Sequence, residues 1–183
     1  AGQSITLKRN EQYHRGAPKI ETIIFKIVED SRARALQLQS GELNLAQVTP
    51  EDAALFRDSE DYALYDMQTA DYRGILYNFN SQFFGKHPEL PAILGYAVDR
   101  QAIVDAVLRG SGQVAYSPLQ KGPYNNPDME KFAYDPQKAM QLLEQAGWSR
   151  GEDGFYQKDG EKLAFVIHNG QGDQVRIDMS NLC

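Results

Sequence analysis

Apolar residues alternate with period two along residues 20–28 (IETIIFKIV), the pattern of a strand. Ile20, Thr22, Ile24 and Lys26 fall on one side, and Ile23, Phe25 and Ile27 on the other. Asp30 or Ser31 then starts a helix of about ten residues that stops near Gly41, with Ala33, Leu36 and Leu38 at helical spacing. A short strand is expected at 43–48. Thr49-Pro50 opens a further helix, with Thr49 as N-cap, Pro50 in the first position and Asp52 three residues on. Residues 62–67 and 72–80 read as two more strands. The second of these, in YRGILYNFNS, points Ile75, Tyr77 and Phe79 one way and Gly74, Leu76, Asn78 and Asn80 the other. Two asparagines on one face of a strand are unusual, because their amides compete for backbone hydrogen bonds.

Beyond residue 98 the period changes. Asp99 caps a helix carrying Ile103, Val104, Val107 and Leu108 that ends at Gly110. Residues 111–134 hold Pro118, Pro123, Pro127, Gly112 and Gly122 and predict a long surface loop. Asp135-Pro136 begins the best-punctuated helix of the chain. Its apolar residues Ala139, Leu142, Leu143 and Ala146 follow helical spacing, Gly147 supplies the left-handed stop, and Trp148 is the hydrophobic follower. Asp159-Gly160 between GFYQ and KLAFVIH predicts a hairpin. The last stretch, GDQVRIDMSNLC, has the look of an amphipathic helix just begun, with Val175, Ile177 and Met179 free to pack. On this reading the chain is cut short.

Composition narrows the function more than the fold. Of 183 residues, 42% are hydrophobic and 24% charged, as in ordinary globular domains. The net charge of −6, with lysine and arginine scattered among acids, argues against nucleic acid, whose binding rests on neutralising phosphates. A single cysteine, Cys183, excludes a disulfide framework and a cysteine-based zinc site. His14, His87 and His168 are far apart and lack metal-ligand spacing, so no metal site or cofactor is expected. The acidic pairs Glu29-Asp30, Glu51-Asp52 and Glu60-Asp61 mostly stand at predicted helix starts, where they suit the dipole. No nucleophile is paired with a base and no phosphate-binding glycine motif occurs, which argues against an enzyme. Tyr62, Tyr65, Tyr72 and Tyr77 cluster on two predicted strands; tyrosines suit ligand walls and core packing alike.

The order of these segments resembles family 5 extracellular solute-binding proteins, the oligopeptide-, dipeptide- and nickel-binding components of ABC importers. Asn10, Tyr13, Gly16, Pro18, Asp30, Leu36, Gly41 and Glu42 match the family's opening segment. LYNFN followed by LGYAVDRQAIVDAVLRGSGQVAYSPL is similar to its asparagine-bearing strand and the helix after it. YDPQKAMQLLEQAGW is similar to a third segment, and the matches run in family order from about residue 7 to residue 168. His14 stands where tryptophan is usual, Asn44 where an acid is usual, and Pro91-Ala92 where an arginine-rich helix start is common.

The resemblance implies an α/β (mixed α+β) chain of the periplasmic-binding-protein type. That fold has two lobes closing on a ligand, of which this chain would hold part of each. Residues 1–70 would belong to the first lobe and residues 71–183 to the second. It further implies a binding protein without catalytic residues, outside the cytoplasm (in the periplasm or as a surface lipoprotein anchored outside this chain). Its partners would be a peptide or other small-molecule ligand and a membrane permease. Gln47, Val48 and Thr49 would fall where the first lobe meets the cleft. Tyr72, Arg73, Tyr77, Asn78 and Asn80 would fall where the chain passes between lobes. The alternative within the family is a nickel or metal-chelate carrier; outside it, an enzyme or regulatory domain on a related scaffold.

Overall fold

The computed structural model describes residues 3–170 and 172–183. Ala1, Gly2 and Gln171 lie outside them. The chain divides into two compact units, one ending at Tyr62 and the other beginning at Ala63.

In the first unit, β1 (Ser4–Lys8) and β2 (Thr22–Lys26) pair antiparallel, with Ser4 opposite Lys26 and Lys8 opposite Thr22. The strand expected at 20–28 thus forms over its centre. Its partner, SITLK, is too short to stand out from the polar sequence around it. Every residue of both strands is exposed, Ile5 to 55% and Phe25 to 52%. A two-stranded ribbon that buries neither face has little to hold it in water. α1 (Ser31–Gln39) begins where Asp30 Oδ1 accepts from the Ala33 N–H at 2.7 Å. Arg34 donates to the carbonyls of Val28 (2.7 Å) and Glu29 (3.1 Å), which fixes how the chain turns from strand into helix. A small core forms from Ala35, Ala53 and Phe56, with the Tyr62 ring meeting Phe56 edge-on at 4.9 Å. The helix expected from Thr49 is real but only one turn long, α2 (Pro50–Ala53).

The second unit is organised by helices. α3 (Gln82–Lys86) starts from Ser81, whose Oγ accepts from the Phe84 N–H. α4 (Leu90–Ala97) follows after a short corner. Next comes α5 (Arg100–Ile103), capped by Asp99 and continued by a π-helical turn at Val104–Leu108. It stops at Arg109 and Gly110, both left-handed at φ 48° and 85°, where the sequence placed the end. The long loop 111–134 is present as expected.

α6 (Pro136–Gln145) packs on α4 and carries the main core. Its end is a complete Schellman turn: Trp148 N–H donates to Leu143 O at 2.9 Å and Gly147 N–H to Glu144 O at 3.0 Å, with Gly147 at φ 86°. This turn delivers Trp148, 1% exposed, into a cluster with Phe84, Leu90, Ile93, Tyr96, Ala139 and Leu143.

β3 (Ser149–Arg150), β4 (Tyr156–Lys158) and β5 (Glu161–Lys162) form a small antiparallel sheet in chain order. Asp159 and Gly160, at φ 50° and 79°, make the two-residue turn between β4 and β5. α7 (Gln174–Asn181) forms where the final helix was expected, with none of its residues fully buried. No helix among the described residues is long and apolar enough to cross a membrane.

The strands expected at 43–48, 62–67 and 72–80 do not form, and KLAFVIH pairs only at its start, through Lys162 and the Leu163 N–H. Alternation gives a segment two faces, but a strand also needs a neighbour for its backbone ladder. Among the described residues 43–48, 62–67 and 72–80 have none.

A Cβ built on Gly147 meets nothing nearer than Lys158 Cε at 3.5 Å, an ordinary contact. Gly147→Ala therefore tests the left-handed backbone by itself. It is expected to destabilise the second unit by about 1–2 kcal/mol, measured by urea unfolding.

Candidate functional site

Gln47, Val48 and Thr49 lie in the first unit, on the approach to α2. Gln47 is exposed, and its carbonyl accepts from Arg34 Nε at 3.2 Å. Val48 is half-buried. Thr49 is tied to Asp52 in both directions: Oγ1 accepts the Asp52 N–H at 3.1 Å and donates to Asp52 Oδ2 at 3.0 Å. Asp52 is buried (5% exposed) and its other oxygen takes Arg32 Nη1 at 2.6 Å. Thr49 thus caps a helix with its hydroxyl, and its side chain is largely committed there.

Tyr72, Arg73, Tyr77, Asn78 and Asn80 share one stretch of the second unit without regular secondary structure, Asn80 in the turn that ends it. Tyr72 is exposed, and its ring lies against Gly74. A Cβ there would come within 2.6 Å of the Tyr72 hydroxyl, so any larger residue would displace the tyrosine ring. Leu76 is 97% exposed. Tyr77 turns inward and meets the Phe84 ring edge-on at 5.0 Å. Burial pushes its phenol pKa up, partly offset by the Arg100 charge.

The two asparagines answer to local chemistry. Asn78 Oδ1 accepts the Asn80 N–H at 3.0 Å, and the Asn78 carbonyl accepts both the N–H (3.1 Å) and the hydroxyl (2.7 Å) of Ser81. The stretch ends in an Asx turn that hands the chain to α3. Asn80 itself is exposed.

Arg73 is held from a distance. Its Nη1 donates to both oxygens of Asp173, at 2.9 and 3.0 Å across 100 residues of sequence, and its Nε stands 3.4 Å from Asp71. Asp173 also caps α7, accepting the Arg176 N–H. The Arg73 hydrogen bond, aided by that cap, keeps the Asp173 carboxyl below the usual carboxylate range. The sequence marked Asp173 only as the residue before a helical pattern.

A shallow cleft of about 100 Å³ is lined by Val98, Asp99, Arg100, Gln101, Val114, Tyr116 and Phe132–Tyr134. Small-molecule pockets run to about 300–1,000 Å³, so this one is too small for a peptide. Arg100 is engaged beside it, donating to the carbonyls of Gly95 and Phe132. Among the described residues no three His, Cys, Asp or Glu side chains converge as a metal-binding group.

Residues 1–181 match the family model for bacterial extracellular solute-binding proteins, family 5. The oligopeptide-binding protein AppA of Bacillus subtilis is 34% identical over 183 residues, 98% of this chain and 34% of that protein. The chain thus spans about a third of the length of this relative. NikZ from Campylobacter jejuni, solved with Ni(L-His), superposes with a TM-score of 0.88 at 28% identity, over 98% of this chain and 36% of that one. AppA solved with a nonapeptide superposes at 0.72 with 32% identity, over 99% and 36%. The mixed helix-and-strand chain therefore covers part of the fold of these solute-binding proteins.

A carboxyl whose folded pKa is depressed adds stability that is present above its unfolded value and lost as pH falls through the folded value. Asp173→Asn keeps a capping side chain but removes the charge. Wild type should exceed this variant by up to about 1 kcal/mol at pH 7, a figure kept low because the pair is partly exposed. The difference should shrink as pH falls below about 4, followed by urea unfolding at each pH.

Proposed function

Because this chain belongs to the family 5 bacterial extracellular solute-binding proteins, we propose that the whole protein captures peptides outside the cytoplasm for an ABC importer. The reading rests chiefly on the superposition, at 32% identity and a TM-score of 0.72, on AppA solved with a nonapeptide. An extended peptide is recognised through its main chain, with side chains taken into roomy pockets, and the exposed ring of Tyr72 is the kind of aromatic surface such a pocket uses. The likeness to an oligopeptide-binding relative supports the same choice.

In this reading residues 1–70 form part of one lobe and residues 71–183 part of the other, with the ligand held between them. Gln47, Val48 and Thr49 line the cleft from the first lobe, and Tyr72, Arg73, Tyr77, Asn78 and Asn80 from the crossing segment. Thr49, Tyr77 and Asn78 act there mainly by shaping the backbone, since their side chains are engaged internally. Arg73, held by Asp173, likewise fixes the segment, while Tyr72 and Asn80 supply contact. The protein binds without catalysis, and its partner is a membrane permease. Its place is the periplasm or the cell surface, held in the second case by a lipid anchor outside this chain.

A second reading, a nickel or metal-chelate carrier, is favoured by the superposition on NikZ, solved with Ni(L-His). One measurement separates the two. Full-length protein denatured after purification should release a mixture of peptides visible by mass spectrometry. Nickel binding at micromolar affinity or tighter, with no peptide released or bound on titration, would replace the first reading by the second. In the peptide-binding protein, Tyr72→Ala should weaken binding about five- to thirtyfold by calorimetry, corresponding to ~1–2 kcal/mol.

A further inference from the structure

His87 closes α3 and is 7% exposed, yet neither ring nitrogen has a hydrogen-bond partner. Aromatic rings enclose the imidazole, with Trp148 at 4.8 Å and Phe83 at 5.4 Å between centroids. Buried polar atoms are nearly always paired, so two orphan nitrogens on one ring call for a cause.

Each nitrogen faces a carboxylate. Nδ1 stands 3.7 Å from Glu89 Oε1, in the corner before α4, and Nε2 stands 3.5 Å from Glu161 Oε2, on β5. A neutral imidazole can donate from only one nitrogen, and its other would turn a lone pair toward a negative oxygen. An imidazolium donates from both. Two lysines also face these carboxylates, Lys86 from α3 at 3.6 Å from Glu161 and Lys158 from β4 at 3.9 Å from Glu89. Each lysine pairs with its carboxylate at a distance close to that of the ring nitrogen, beyond hydrogen-bond length, so ring and lysine share the same oxygen.

We propose that His87 is a proton-operated staple, which on taking a proton from solvent joins the α3–α4 corner to the β4–β5 hairpin through Glu89 and Glu161. Moving either oxygen by less than 1 Å brings it within the range of a charge-assisted hydrogen bond. The elements joined are those that seat Trp148 and the core around it. A protein working outside the cytoplasm meets the pH of its surroundings directly, and the staple tightens this unit as the medium acidifies. The inference does not depend on which ligand the protein carries.

Full-length protein is followed from pH 8 to pH 5, the span in which histidines change charge. NMR of the His87 ring, assigned by comparison with His87→Gln, reports its protonation. Hydrogen exchange corrected for intrinsic rate reports the hairpin through the Leu163 amide, which donates to the Tyr156 carbonyl. The expected result is that the ring becomes an imidazolium and exchange at Leu163 slows about tenfold, the worth of one charge-assisted hydrogen bond. Glu161→Gln should remove most of that slowing and His87→Gln all of it. If His87→Gln does not fold, Glu161→Gln, whose side chain is 38% exposed, carries the test. A ring still neutral at pH 5 overturns the proposal, as does unchanged or faster exchange at Leu163.

Discussion

The second unit depends on the way α6 ends. Trp148 is almost wholly buried, and the main chain brings it to the core: a left-handed Gly147 and two hydrogen bonds back to Leu143 and Glu144 turn the chain there. Against it pack α3, through Phe83 and Phe84, and α4, through Leu90 and Ile93. The small sheet β3–β5 starts one residue after it. Burial of a side chain of this size contributes on the order of 2–3 kcal/mol. Lys138 over the Tyr96 ring, at 4.0 Å, and the bond from the Asp135 N–H to the Tyr96 carbonyl then join the start of α6 to the end of α4.

The first unit lacks a comparable anchor. Its core is two alanines and Phe56 beside α1 and α2, stiffened by the buried Asp52 carboxylate between Thr49 and Arg32. The ribbon β1–β2 exposes isoleucine, leucine and phenylalanine on both faces. Since relatives are about three times as long, covering such faces falls naturally to parts of the polypeptide beyond these residues.

What could be read from the sequence was chemistry completed within a few residues. Asp30, Thr49, Asp99 and Asp135 each cap the helix assigned to them, because a carboxylate or hydroxyl needs only the amide two or three positions on. The stop at Gly147 and the turn at Asp159-Gly160 were legible for the same reason. Strands were not, since alternation in 72–80 says nothing about which backbone lies beside it. Nor was α4, where LPAILGYA is apolar nearly all round and shows no stripe. In the candidate site, Asn78 is a turn former of the kind its residue type suggests. The Asp173 that holds Arg73 was out of reach, because no local pattern links residues so far apart.

That separation has a kinetic side. Closing a loop of 100 residues carries an entropic cost of several kcal/mol that one partly exposed ion pair cannot offset by itself. The Arg73–Asp173 contact therefore has to form late, once α4, α6 and the hairpin have already drawn the two segments together. Its presence in a folding molecule would mark the moment when this unit has closed on itself.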